Sequence, residues 1–140
     1  MASANKFQDF VEQLGRGVHQ LHAAAHQLAV YLSNATPSAS LDAVKADLAE
    51  ITTEFGYTGP EDIQNDWTES AGTSTLSGVD VVITASGGSF GPFQYVVLEN
   101  DTPSSPLDPL VNWWDFGSPL TVNDAESFTV DFGAAVATLV

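Results

Sequence analysis

The segment from Val79 to the C-terminus constrains the fold more than any other part of the chain. It holds two of the three tryptophans and most of the β-branched and aromatic residues, in runs separated by Gly, Pro and Asn-Asp. Such runs are typical of short strands joined by tight turns. The segment therefore predicts a mainly β domain.

Strands are predicted at residues 79–84, 93–98, 110–116, 120–122, 127–132 and 136–139. With further strands at 27–33 and 63–69, the number suits a β-sandwich or a jelly roll. Residues 81–83 and 95–98 are apolar without alternation, which indicates strands covered on both faces. Residues 128–132 alternate apolar and polar side chains, which indicates one buried face and one solvated face.

The N-terminal third predicts one or two short helices. An amphipathic helix at 5–14 would place Phe7, Phe10, Val11 and Leu14 on one face, before the glycines at 15 and 17. A second helix near 41–52 is indicated by apolar residues at helical spacing from Leu41 to Ile51. We accordingly divide the chain into an N-terminal helix and contact arm, 1–26, and a β-sandwich domain, 27–140, that includes the second helix.

The charge distribution separates the two ends of the chain. There are 18 acidic residues and three basic ones, a formal net charge of −15, and no base follows Lys45. Residues 1–45 are neutral, with three bases and three acids, so the whole net charge lies in residues 46–140. Such an acidic surface repels phosphate, so we expect no nucleic-acid partner. The acidic half of the chain either serves solubility alone or forms an outer, solvent-facing layer of an assembly.

Catalytic, cofactor and membrane-spanning motifs are absent from the sequence. It has no phosphate-binding loop, dinucleotide fingerprint, nucleophile elbow, calcium loop of the EF-hand type or cysteine. The longest mostly apolar run, near 21–32, is interrupted by His26 and Gln27 and is too short to cross a membrane. We therefore expect no enzymatic activity, no cofactor and no membrane partner.

Two sets of polar residues deserve a test as metal ligands. His19, His22 and His26 would share one face of a continuous helix, but no other ligand type lies at suitable spacing, and ordinary polar or capping roles are favoured. Asp101, Asp108 and Asp115 would suit calcium by chemistry, although their spacing matches no known loop. No metal is predicted.

Trp113 and Trp114 are neighbours on a predicted strand, so their side chains point to opposite faces. One is expected in the core, and the other is expected to anchor an interface, with sugar stacking or packing beneath a loop as alternatives. The predicted contact residues are Phe7, Phe10, Val11, Leu14, Trp113 and Trp114.

Several short passages, in order along the chain, carry a family resemblance. In the first half they are Gly17-Val-His-Gln-Leu, Leu28-Ala-Val-Tyr-Leu-Ser-Asn-Ala-Thr-Pro, Ala46-Asp-Leu-Ala-Glu-Ile and Gly56-Tyr-Thr. In the second half they are Gly91-Pro-Phe-Gln-Tyr-Val-Val-Leu-Glu-Asn-Asp-Thr, Trp114-Asp-Phe-Gly-Ser and Phe128-Thr-Val. Together they resemble small virion structural proteins of tailed bacteriophages.

This resemblance implies a non-enzymatic virion protein, in the first place a decoration or cement protein on the exterior of the phage head. It implies the major capsid protein as partner and a homotrimer as the assembled form. The alternatives are a sandwich-type glycan-binding virion module that uses Trp113 or Trp114, and another head or tail component. An enzyme acting on cell walls is a further, weaker alternative.

Overall fold

The computed structural model describes residues 4–23 and 25–139. The described elements are β1 (Ala4–Lys6), α1 (Gln8–Gly15), β2 (Leu28–Ser33), a 3-10 turn (Lys45–Asp47), β3 (Glu61–Asp62), β4 (Asp66–Ser70), β5 (Thr73–Ser77), β6 (Val81–Thr84), β7 (Phe90–Asn100), β8 (Leu110–Val122), β9 (Ser127–Val130) and β10 (Ala137–Leu139). The fold is mainly β with one short helix in the N-terminal third, as predicted from the sequence.

The strands form three antiparallel sheets. The largest has the order β1-β8-β7-β2-β3, a second has the order β10-β5-β4, and β6 pairs with β9. Side chains from the two smaller sheets, such as Leu76, Ile83 and Val130, join the same buried cluster as Val30 and Val96 of the large sheet. The chain is therefore sandwich-like, with the main core between the large sheet and the two smaller ones.

A second apolar cluster covers the other face of the large sheet. It contains Phe7, Tyr31, Leu48, Tyr95, Val97 and Leu110. As a result both faces of β2 and of the C-terminal half of β7 are buried. This confirms that residues 95–98 are covered on both sides, and β2 is likewise buried on both faces.

A β-bulge in β8 explains where the adjacent tryptophans point. Leu98 pairs with Asn112 and Glu99 pairs with Leu110, so Val111 is an extra residue in β8. The bulge places Val111 on the main-core face together with Asn112. Beyond it Trp114 lies in the main core and Trp113 packs against the second cluster, which confirms that they occupy opposite faces.

Several strand predictions need correction. Val82 is 60% exposed, so residues 81–83 are not covered on both faces, because β6 pairs with β9 in a sheet that has one face in solvent. Residues 110–122 form one strand rather than two, and β5 was not predicted, because its Thr-Ser-Thr-Leu-Ser sequence has few apolar residues. In β9 and the loop after it, Val130 and Phe132 are buried and Thr129 and Asp131 are exposed, as the alternation predicted.

The N-terminal helix is shorter than predicted and begins at Gln8 rather than residue 5. Ala4, Asn5 and Lys6 instead pair with Trp114, Trp113 and Asn112 as an edge strand of the large sheet. The Phe7 amide continues this pairing by donating to the Val111 carbonyl oxygen at 3.2 Å. Residues 4–7 thus belong to the large sheet and its core and do not form a separate arm.

The predicted helix at 41–52 is wrong, since only Lys45–Asp47 forms a 3-10 turn. Asp47 accepts hydrogen bonds from the Ala43 and Val44 amides, a local alternative to helical bonding. Other backbone groups bond across to neighbouring segments: the Ala43 carbonyl oxygen accepts from the Leu110 amide, and the Leu48 carbonyl oxygen accepts from the Tyr31 hydroxyl. These contacts hold the segment extended over the second cluster.

Gly56→Ala is expected to destabilise the fold by about 3 kcal/mol or more. Gly56 has φ +99°, and an added Cβ would overlap the Thr84 carbonyl oxygen. Gly72→Ala is the matched control, because Gly72 has φ +83° but open space around it, and should cost only about 1 kcal/mol. Urea unfolding of both variants measures the difference; equal losses would contradict the close approach at Gly56.

Candidate functional site

An apolar cleft of about 350 Å³ opens between α1, the end of the large sheet and the three-stranded sheet. We call it the α1 cleft. Its described lining residues are Ala4, Lys6, Phe10, Val11, Leu14, Trp67, Leu76, Val111, Asn112, Val136, Ala137, Thr138 and Leu139. None of these is acidic, although 18 of the 140 residues of the chain are. The cleft is therefore an acid-free apolar surface on a strongly acidic protein.

The sheet register explains which side chains form the base of the cleft. Lys6 is the cross-strand partner of Asn112, and Ala4 is the partner of Trp114. Cross-strand partners project to the same face with Cβ atoms about 5 Å apart. The bulge at Val111 adds that side chain to the same face, so β1 and β8 together supply one continuous wall.

Three polar residues, Lys6, Asn112 and Thr138, interrupt this apolar lining. Asn112 is 4% exposed, and its Oδ1 has no hydrogen-bond partner in the described structure. Lys6 is exposed and forms no ion pair with the residues that the structure describes, whereas Arg16 pairs with Glu12 at 2.7 Å and Lys45 with Glu50 at 3.2 Å. Asn112 Oδ1 itself has almost no solvent-accessible surface, whereas Lys6 adds an exposed positive charge to the lining.

The structure brings three of the predicted contact residues together in this cleft. Phe10 and Leu14 are partly buried in its wall, and Val11 is 53% exposed. Their grouping follows from the helical spacing of residues 10, 11 and 14, which persists although the helix starts later than predicted.

The other predicted contact residues do not lie in the cleft. Phe7 is fully buried in the second cluster and Trp114 is 3% exposed in the main core, so both leave the set of candidate contact residues. Phe7 precedes the helix and continues the pairing of β1, which turns its ring inward. Trp113 is half-buried, and its ring centroid lies 4.6 Å from that of Phe7 on the opposite side of the large sheet.

Sequence reasoning missed the residues that complete the cleft. Lys6 and Asn112 meet only through the β1-β8 pairing, and Leu139 and Trp67 reach it from the three-stranded sheet. The sequence feature that pointed towards this region was the neutral charge of residues 1–45, which contrasts with the acidic remainder of the chain.

The three histidines do not share a helix face, because residues 18–23 and 25–27 are not helical. His19 and His26 instead meet at Asn100, whose Nδ2 lies 3.1 Å from His19 Nδ1 and 2.9 Å from His26 Nδ1. His19 is buried against the edge of the Phe10 ring, and its Nε2 has no partner in the described structure. Burial, reinforced by the charge of His26, lowers the pKa of His19 to about 4. His22 is exposed.

The three aspartates considered as calcium ligands do not converge either. Asp101 and Asp108 are close enough for Asp108 to add to the raised pKa of Asp101, of which desolvation is the larger cause. Asp115 is the cross-strand partner of Tyr95, whereas Asp101 follows Asn100 at the end of β7. Tyr95 and Asn100 are five residues apart, which is roughly 17 Å along the strand. It accepts from Gln94 and from the Gly117 amide, which lower its pKa. Within residues 4–23 and 25–139, no group of three potential ligands is arranged to hold a metal ion.

Comparison of the chain with family models, with curated proteins and with solved structures gives no match. Within the described residues, no helix is long and apolar enough to span a membrane.

Proposed function

We propose that this protein is a non-enzymatic virion structural protein that decorates the exterior of a phage head. In this proposal the α1 cleft is the surface that contacts the major capsid protein, and the protein assembles as a homotrimer. The observation that carries the proposal is the acid-free apolar cleft on a chain of net charge −15. The family resemblance of the sequence motifs supplies the virion context.

The distribution of charge supports an outer position on the shell. Packaged nucleic acid would repel the acidic face, whereas solvent accommodates it. Attachment then has to use the part of the surface that is free of acids, because an uncompensated carboxylate buried at an interface costs several kcal/mol. The α1 cleft meets this requirement.

Two considerations support the homotrimer: the closed symmetry that most oligomers adopt, and the apolar surface that is exposed away from the cleft. A closed ring uses head-to-tail contacts, so each subunit presents two different complementary patches. Leu41 and Leu107, which are 81% and 63% exposed, are apolar side chains available for such contacts. Several weak shell contacts made by one ring reinforce each other through multivalency.

Re-adding the purified protein to stripped heads should raise the temperature at which the heads rupture, and its mass in solution should be that of three chains. Low salt should favour release, because the acidic chains repel each other, and about 0.15 M salt, with a Debye length near 8 Å, should screen this repulsion. A monomer that leaves head rupture unchanged would contradict the proposal and favour the glycan-binding alternative.

A further inference from the structure

Asn100, the last residue of β7, ties two histidines to the end of the large sheet. Both histidines belong to the segment between α1 and β2, described at residues 18–23 and 25–27, which we call the linker. Asn100 is fully buried, and its Nδ2 lies 3.1 Å from His19 Nδ1 and 2.9 Å from His26 Nδ1. Its Oδ1 accepts from the Thr102 amide, which fixes the end of the side-chain amide that faces the histidines. Both N–H groups of the Asn100 side chain are therefore directed at imidazole nitrogens.

These hydrogen bonds determine the protonation state of both rings. The Gln20 backbone amide can only donate, and it lies 3.2 Å from His26 Nδ1, so that nitrogen is an acceptor. The side-chain NH₂ group of Asn100 also offers only donors, so His19 Nδ1 is an acceptor as well. Each neutral ring then carries its hydrogen on Nε2. An imidazolium at either position would turn a donor towards a donor.

Side chains from other segments hold the linker in place. Asn65 Nδ2 donates to the carbonyl oxygens of Leu21 and His26, and Asp66 Oδ1 accepts from the Ala23 amide. The described part of the linker contains no helix or strand. Segments of this kind open at a lower free energy than paired core strands do. The linker can therefore open while the sheets stay intact.

The linker also supports α1. The His19 ring packs edge-on against the Phe10 ring, with 5.0 Å between the ring centroids, and Phe10 lines the α1 cleft. Displacement of His19 removes that contact. A change of charge in the linker therefore reaches the wall of the cleft.

The charged groups that face the two rings are not arranged to bind an imidazolium. Asp9 of α1 attracts a charged His19, but burial and the charge of His26 have larger, opposite effects on the His19 pKa. Asp62 of β3 lines the same surface pocket as His26, and Asp66 of β4 contacts the linker; both carboxylates accept from backbone amides. In the described part of the chain, no carboxylate forms an ion pair with either ring. Two further titratable groups near the linker are exposed, those of His22 and Asp101.

We propose that His19, Asn100 and His26 form an acid-sensitive latch. With both rings neutral, the latch holds the linker and the Phe10 side of α1 in place, and protonation of either ring opens it. Protonation places an N–H group where Asn100 or Gln20 already donates, and two charged rings would lie with their Nδ1 atoms no more than about 6 Å apart. In the open linker the rings reach water, where histidine titrates near its ordinary pKa of about 6.5. The device does not depend on what the α1 cleft binds.

Nitrogen-15 NMR of the imidazole rings at pH 7.5 tests the closed geometry. His19 and His26 should both be Nε2–H tautomers, whereas the exposed His22 should show the averaged shifts of a ring that exchanges between tautomers. An Nδ1–H tautomer or an imidazolium at His19 or His26 would overturn the inference.

Hydrogen exchange measures the opening. Between pH 6.5 and pH 4.5 the protection factors of the Gln20 and Gln27 amides should fall about 30-fold or more, because the His19 pKa of about 4 in the closed latch returns to about 6.5 in the open one. The amides of β7 exchange through larger unfolding and should not fall in parallel. Constant protection in the linker, or an equal fall in β7, would contradict the latch.

Variants assign the effect to the two rings. His19→Gln and His26→Gln should each reduce the fall in protection, because a glutamine oxygen accepts from Asn100 but does not titrate. His22→Gln is the matched control and should keep the full fall, because His22 is exposed and lies outside the latch. If the double variant His19→Gln/His26→Gln loses as much protection as the native chain, the inference fails. None of these measurements uses phage heads, so their outcome is independent of the proposed function.

Discussion

Relative to the native chain, Glu99→Gln is expected to lose about 2 kcal/mol of unfolding free energy between pH 6.5 and pH 4.5. The reason is that two buried groups, Glu99 and His19, titrate in opposite directions in the native protein. Removing one of them exposes the pH dependence of the other.

His19 stabilises the fold at neutral pH and loses that contribution in acid. Its folded-state pKa of about 4 lies below the ordinary value of 6.5, because burial penalises the imidazolium. The unfolded chain therefore takes up a proton first as the pH falls below 6.5. This contribution to stability is complete above pH 6.5 and is lost as the pH falls towards 4.

Glu99 behaves in the opposite sense. It is 1% exposed and its Oε2 has no partner in the described structure. Burial raises its pKa from 4.5 to about 7, and the nearby Asp108, Asp101 and Glu50 add to the rise while Lys45 opposes it. The folded state thus holds a proton that the unfolded state releases. The contribution is complete below pH 4.5 and is lost as the pH rises through 7.

Urea unfolding at pH 4.5, 5.5, 6.5 and 7.5 of four proteins checks this account. Relative to the native chain, His19→Gln should gain about 2 kcal/mol from pH 6.5 to pH 4.5, and the double variant should return to the profile of the native chain. Protonation of surface carboxylates affects all four proteins alike, so the differences between the profiles are the readout. Parallel profiles for the native chain and Glu99→Gln would show that Glu99 is not protonated in the fold.

The sequence predicted those parts of the fold that depend on local pattern. The strands at β2, β7, β9 and β10 and the amphipathic spacing of Phe10, Val11 and Leu14 were readable because apolar periodicity and turn residues act over a few positions. The extended segment at 41–52 was not, because its apolar spacing matches a helix while its hydrogen bonds go to partners such as Leu110 and Tyr31.

The candidate site was predictable only on its helical side. Lys6 and Asn112 lie more than 100 residues apart and meet through a pairing that no local pattern specifies. The inward position of Phe7 depends on the same pairing. The burial of Glu99 was likewise not predicted, because the predicted two-sided burial ended at residue 98 and an acidic residue is usually exposed.

Val11→Asp is expected to weaken attachment to the phage head by about 30-fold or more, since losing a central apolar contact commonly costs at least 2 kcal/mol. The substitution also places a carboxylate at the edge of the acid-free α1 cleft, where contact would bury its charge. The fold should tolerate the substitution, because the Val11 side chain is 53% exposed and α1 contains no fully buried residue. Deletion of the N-terminal segment would be a poorer test, because it would also remove β1 and Phe7 from the large sheet and its core.

Val79→Asp provides a matched control. Val79 is also 53% exposed, and the substitution adds the same charge, but Val79 lies before β6 and does not line the cleft. Circular dichroism and urea midpoints should show that both variants remain folded.

The decisive measurement is the binding isotherm of the native protein, Val11→Asp and Val79→Asp on stripped heads, obtained by co-sedimentation at 0.15 M salt. The proposed capsid contact predicts native-like saturation for Val79→Asp and loss of binding for Val11→Asp. Equal binding of the two folded variants would contradict attachment through the α1 cleft.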